Sequence, residues 1–158
     1  MIVPNYVKFQ ENLGEESSKT VIIHARAREL RKDDNWSVDN WSELVGLLLA
    51  DGYSVVSIGT TAQAFHIEGT KDCRDIPLEE TVALLSNACA AIGPSSGPMH
   101  LASLCGCPHV VWSKKSDAQR YEENWNPHNT PVLFLGEYEW RPAPQYVYEN
   151  FTNWSEKK

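Results

Sequence analysis

Ala90-Ala91-Ile92-Gly93-Pro94-Ser95-Ser96-Gly97-Pro98-Met99-His100-Leu101-Ala102 passes from a short apolar run, through a turn of small residues, into a helical segment. The run Ala90-Ala91-Ile92-Gly93 has the character of a strand buried on both faces, as in a parallel sheet. Residues 99–105 read as the helix that follows, with Pro98 tolerated ahead of it because the N–H it lacks would have no intrahelical partner. A strand that turns directly into a helix is the building unit of an α/β fold.

The same unit recurs on both sides of this stretch. Upstream, Val21-Ile22-Ile23-His24-Ala25 is a β-branched run. After it Trp41, Leu44, Val45, Leu48 and Leu49 fall on one helical face, with Ser37 or Asp39 as the N-cap and Gly52 as the stop. Residues 54–59 form a second strand ending in glycine, 72–75 hold a very short one, and Leu78, Val82 and Leu85 mark the next helical stripe. Downstream, His109-Val110-Val111-Trp112 and Val132-Leu133-Phe134-Leu135 complete the set. Strands alternating with helices at these intervals imply right-handed crossovers. The expected fold is a Rossmann-like three-layer α/β/α domain with a mostly parallel sheet, spanning 20–137. Residues 1–19 lack periodicity and read as a lead-in or linker, and 138–158, rich in Trp, Tyr and Pro, as an aromatic tail packed on the domain.

Composition narrows the function. A chain of 158 residues, 42% hydrophobic and 22% charged, fits one globular domain with a real core. Its net charge of −7 argues against nucleic-acid binding, which calls for a basic face. The longest apolar run, around 44–50, is too short to span a bilayer, and no secretory signal is visible at the N-terminus, so stable membrane insertion is not expected and the expected address is cytoplasmic. In that setting Cys73, Cys89, Cys105 and Cys107 are expected to be free and mostly buried. Cys105-Gly106-Cys107 lacks the paired clusters that zinc requires, so no metal site is expected. No Ser-His-Asp order, phosphate-loop lysine motif or metal-binding aspartate pair is present.

In an open parallel sheet, ligands bind beyond the carboxyl ends of the strands. The loops there are 26–35, 60–63, 74–78, 95–97 and 113–117. The sharpest candidate is Ser95-Ser96-Gly97 at the start of a helix, where free amides and the helix dipole favour an anion, glycine admits a phosphate to the backbone, and hydroxyls can donate. The same residues also serve simply to cap a crossover helix. The second candidate is His24-Ala25-Arg26-Ala27-Arg28, in which Arg26 and Arg28 can fork diphosphate oxygens or pair with Glu29, Asp33 and Asp34. Arg31 and Lys32 read as surface charge. His100 lies one residue beyond Met99 in the early helix, within reach of a sugar or phosphate; a lone helical histidine is also a common packing residue. Trp36 and Trp41 read as core and helix staple.

The order of four blocks carries a resemblance: Asn35-Trp36, Trp41 and Leu44; Gly52-Tyr53-Ser54-Val55-Val56-Ser57-Ile58-Gly59; Asp75-Ile76-Pro77-Leu78; and Ser96-Gly97-Pro98-Met99-His100-Leu101-Ala102. Together they resemble the C-terminal, donor-binding domain of the heptosyltransferase-like glycosyltransferases, family nine, one half of a GT-B fold. The resemblance implies a nucleotide-diphosphate sugar as donor substrate, transferred with inversion and without a metal or other cofactor, to an acceptor held by a second domain or chain. It implies that Ser95, Ser96 and Gly97, with Arg26 and Arg28, hold the diphosphate. Thr60, Thr61 and Gln63 would meet the ribose, Ile76, Pro77 and Leu78 the base, and His100 the sugar or phosphate. No catalytic residue is assigned, because the general base of such enzymes comes from the N-terminal half. The chain differs from the family pattern at Ser95, where aspartate is usual, at Asp34, near the place of a phosphate-binding lysine, and at Gln63 or Ala64, where a ribose-binding glutamate is expected. A non-catalytic nucleotide-binding or protein-interaction module stands as the alternative.

Overall fold

The computed structural model describes residues 19–30, 32–123 and 126–156. The lead-in expected over 1–19 therefore lies, apart from Lys19, outside the described residues, and Arg31 does too. The chain runs β1 (Thr20–Ile23), α1 (Val38–Ala50), β2 (Ser54–Ser57), β3 (Lys71–Asp72), α2 (Leu78–Asn87), β4 (Ala90–Pro94), α3 (Gly97–Leu104), β5 (His109–Trp112), α4 (Ala118–Glu123), β6 (Val132–Leu135) and α5 (Pro144–Glu156). The strands form one sheet in the order β3-β2-β1-β4-β5-β6, with every neighbouring pair parallel. This is the doubly wound order, in which the chain winds outward from the centre first to one edge and then to the other.

Two-residue alternation along the strands divides the interior between the two faces of the sheet. Val21, Ile23, Val55, Ala90, Ile92, Val110 and Trp112 pack with Leu44, Val45 and Leu48 of α1 and with Val147 and Phe151 of α5. Ile22, Val56, Ala91 and Val111 point the other way, onto Val82 and Leu85 of α2, Met99 and Ala102 of α3 and Tyr121 of α4. Side chains such as Leu44 and Leu48 are fully buried, and burying each stabilises the fold by about 1.5–3 kcal/mol. The three layers are thus α1 and α5, the sheet, and α2 to α4.

Several local expectations shift. Leu78 is not part of the α2 core stripe: at 57% exposure it lies outside, while Val82 and Leu85 are buried. The reason is position, since Leu78 opens the helix beyond the carboxyl end of the sheet, where no strand lies beneath it. The short strand is Lys71–Asp72, displaced toward the N-terminus from 72–75, because Cys73 and Asp75 instead donate their N–H groups to Ser57 and Gly59 at the end of β2. Helix α3 starts at Gly97, ahead of the expected 99–105. Two helices have no counterpart in the sequence reading. One is α4, and the other is α5, which lies within 138–158 and places Val147 and Phe151 in the core. The four cysteines are free, with Cys73, Cys105 and Cys107 buried and Cys89 partly so. No helix among the described residues is long and apolar enough to cross a membrane.

Candidate functional site

Strand order reverses between β1 and β4, and the crevice outside their carboxyl ends is where an open α/β sheet takes its ligand. Two sequence candidates meet there, His24 to Arg28 after β1 and Ser95 to Gly97 after β4. Their contact is direct: His24 Nδ1 and Ser96 Oγ are 2.9 Å apart although 72 positions separate them in the chain.

Helix α3 leaves its N-terminus open. Ser96 is the N-cap residue in extended conformation, yet its side chain makes no cap hydrogen bond, and the first turn holds no acidic residue. Both other long helices of the α/β repeat carry acids there, Asp39 in α1 and Glu79 with Glu80 in α2. Gly97 is exposed, and a Cβ built on it would meet nothing within 4 Å. Unbonded amides, an uncompensated dipole and free space beside the backbone make this end suited to an anion.

The turn is pinned from below. Arg26 Nη1 donates to the Ser95 carbonyl at 2.7 Å and Nη2 to the Asp34 carbonyl at 3.0 Å. The Tyr121 hydroxyl donates to Ser95 Oγ at 2.6 Å. Arg26 is 3% exposed, and the Trp140 ring lies 4.9 Å from its guanidinium. Burial, with Arg28 next to it, lowers the Arg26 guanidinium to about 10, which still leaves it cationic at neutral pH. Arg28 is half-buried and pairs with the Asp34 carboxylate at 3.2 Å. So Arg26 supplies positive charge under the turn and shapes it through carbonyls, while Arg28 stands nearer solvent. Burial raises the Tyr121 phenol to about 12, which keeps it a donor.

His24 is 5% exposed and held tightly. A Cβ on Gly59, whose φ is +114°, would come within 2.9 Å of His24 Cδ2, and one on Gly93 within 3.4 Å of His24 Cβ. Burial and then the charge of Arg26 lower this imidazole to about 4, so it is neutral at physiological pH. His100 stacks on Tyr121 with ring centroids 5.7 Å apart, and burial lowers its pKa as well.

The remaining candidates lie on the neighbouring loops. Thr60, Thr61 and Gln63 are exposed after β2, in a turn closed by Gln63 N–H to Thr60 and by Thr61 N–H to Asp75 Oδ1. Arg74 grips Asp72 through two nitrogens and the Ala64 carbonyl through a third, which ties this turn to β3. That grip holds the Asp72 carboxyl well below the usual range. Pro77 and Leu78 are exposed beside it and Ile76 half-buried, an apolar shelf at the same edge of the sheet. Among the described residues, no group of three or more His, Cys, Asp or Glu is placed to hold a metal ion.

Two residues of the site were missed from sequence, Tyr121 on Ser95 and Trp140 over Arg26, because they reach it only through the tertiary fold. A signal existed for Trp140. It follows β6, so parallel topology brings it to the same edge as every other candidate.

A profile of the family described as Glycosyltransferase family 9 (heptosyltransferase) matches residues 5–140. No curated protein matches significantly. Among solved structures, the chain resembles the E. coli ADP-heptose lps heptosyltransferase II, with a TM-score of 0.68 and 19% identity over 92% of this chain and 49% of that one. The E. coli heptosyltransferase WaaC with ADP gives 0.65 and 19%, over 91% of this chain and 46% of that one. A family 9 glycosyl transferase from Veillonella parvula gives 0.70 and 13%, over 90% and 47%. At such identities the likeness is one of fold, and the chain spans about half the length of each of these proteins.

Proposed function

Because the chain belongs to glycosyltransferase family 9, we propose that it is the donor-nucleotide-binding half of an inverting, metal-independent glycosyltransferase acting in the cytoplasm. A second domain or partner chain supplies the acceptor site and the catalytic base. The observation that carries this reading is the open N-terminus of α3, with Gly97 unobstructed and Ser95 and Ser96 beside it at the switch point of the sheet.

In this reading the Gly97 and Met99 amides, Ser95 and Ser96 hold the donor diphosphate. As the acceptor oxygen bonds to the anomeric carbon, the bond from that carbon to the phosphate oxygen breaks and the leaving diphosphate gains charge. Charge that grows at a preorganised, partly dehydrated site is where fixed dipoles and cations accelerate a reaction most. In this reading helix α3, Arg26 from beneath the turn and Arg28 nearer solvent take that task, and His100 borders the same turn. Thr60, Thr61 and Gln63 take the ribose, and Ile76, Pro77 and Leu78 cover the base. The proton of the acceptor goes to the base on the other half, so this chain alone binds without turning over.

A second half also accounts for exposed apolar side chains. Leu30, Val38, Leu78 and Tyr138 all lie in loops or helix starts at the carboxyl edge of the sheet, whereas Leu49 lies toward the far end of α1. Exposed apolar residues on the loops around a site are compatible with a face that another domain covers.

Thermal shift with ADP, GDP, UDP and CDP tests the proposal, ADP first because a similar structure was solved with it. A nucleotide at about a hundred times its Kd adds roughly 2.7 kcal/mol, which raises Tm by about 8 °C in a domain of this size. Gly97→Asp is expected to abolish that response by setting a carboxylate against the phosphates. Silence from all four nucleotides would sink the reading. Protection without turnover, even after a candidate acceptor domain is added, would favour a non-catalytic module.

A further inference from the structure

Ser96 has the residue type and backbone conformation of a helix cap but does not act as one. In α1, Ser37 Oγ accepts the N–H of Asn40, three residues on, at 3.0 Å. The equivalent pair in α3 is Ser96 and Met99. With Pro98 between them, Met99 carries the N–H that a serine cap would take, since proline has none to offer. Yet Ser96 makes no such bond, and its hydroxyl meets His24 Nδ1 instead.

His24 has no room to give way. Gly59 and Gly93 close against its ring and its Cβ, so the imidazole occupies a slot that any side chain at either glycine would fill. The preceding residue is fixed as firmly, because Ser95 receives Tyr121 on its hydroxyl and Arg26 on its carbonyl. The turn is therefore held from β1 and from α4, away from its own helix.

We infer that His24 is a positioning residue for the diphosphate site: it draws the Ser96 side chain off the end of α3, so that the Met99 amide stays open to a phosphate oxygen. The inference rests on the donor-binding role proposed above, but the uncapping itself can be measured without any ligand.

The experiment is amide hydrogen exchange by NMR on the full chain without nucleotide, paired with ADP titration. In the wild type, Met99 is expected to exchange quickly and Asn40 slowly. His24→Gln moves the nitrogen away from the Nδ1 position and frees Ser96 to cap. Met99 exchange should then slow by about fivefold to tenfold, the worth of one ordinary hydrogen bond. ADP affinity should fall about tenfold or more, as one charge-assisted donor is lost. His24→Asn, which keeps a polar atom where Nδ1 stood, should restore fast Met99 exchange and affinity within about threefold. A merely structural histidine would rank these variants by stability instead. If His24→Gln does not fold, Ser96→Ala decides: it should leave Met99 exchange as in the wild type, since Ser96 caps nothing. Faster Met99 exchange in Ser96→Ala, or equal exchange in wild type and His24→Gln, would overturn the inference. Failure of the wild type to bind any nucleoside diphosphate would sink the donor-binding reading instead, and the exchange data would still judge His24.

Discussion

The helices that begin after Ser37 and after Ser96 start from the same residue type and use it in opposite ways. Before α1, Ser37 closes the helix end with its own oxygen, Asp39 offsets the dipole, and Trp36 and Trp41 clamp across the cap with ring centroids 4.7 Å apart. Those two tryptophans occupy the positions of a hydrophobic staple. Before α3, the matching positions hold Ser95 and His100, no acid stands in the first turn, and the serine points elsewhere. The first end spends its bonding capacity on the fold, and the second holds its capacity for something outside the chain. An element that is less well satisfied than its twin in the same molecule marks where function displaced stability.

The comparison can be broken in three places. The largest difference should come from the staple. Trp41 is fully buried between Trp36 and Trp112, so Trp41→Ala is expected to cost about 3–5 kcal/mol in urea unfolding. His100→Ala, at the matching position of α3, should cost less than about 1 kcal/mol. Comparable losses would mean that the two ends are built alike.

Next comes pH, since the α3 end rests on a titratable group that α1 lacks. Burial lowers the His24 imidazole to about 4 in the fold, against about 6.5 for a histidine in water. Between those values the unfolded chain binds the extra proton. Stability from this source is complete above about pH 6.5 and declines as pH falls toward 4, by about 3 kcal/mol in all. Denaturant titrations from pH 7 to pH 4 should reveal that slope in the wild type and a shallower one in His24→Asn. Identical slopes would assign it to other groups.

The smallest effect separates the two serines. Ser37→Ala should cost about 1 kcal/mol, as the loss of a working N-cap does. Ser96→Ala should cost only a few tenths, because no helical amide depends on it and a water at the half-buried position takes over its bond to His24. Equal costs would put Ser96 back among ordinary caps.

Much of this contrast was legible in the chain. The tryptophans at staple spacing and the small, proline-bearing start of α3 are local patterns, and local patterns survive without tertiary knowledge. The α/β alternation and the central strands were legible for the same reason, since parallel strands buried on both faces read as unbroken apolar runs. Helix α5 was not. Its buried positions, Val147 and Phe151, stand among Gln145, Glu149, Asn150, Thr152 and Asn153, and such a polar helix is stabilised by what it packs on, here α1. Helix α4 is only 6 residues long, less than two turns, and gives no periodicity to detect.

By itself the sequence determined the fold class, the loops at which a ligand could bind, and the residue types offered there. These follow from side-chain period and turn chemistry, which act over a few neighbouring residues. Only the tertiary structure decided that His24 and Ser96 touch, that Arg26 lies buried beneath the turn, and that Tyr121 holds Ser95 in place. Each of those contacts joins elements brought together by the strand order, and no local rule in a chain specifies which of its distant polar groups will share one crevice.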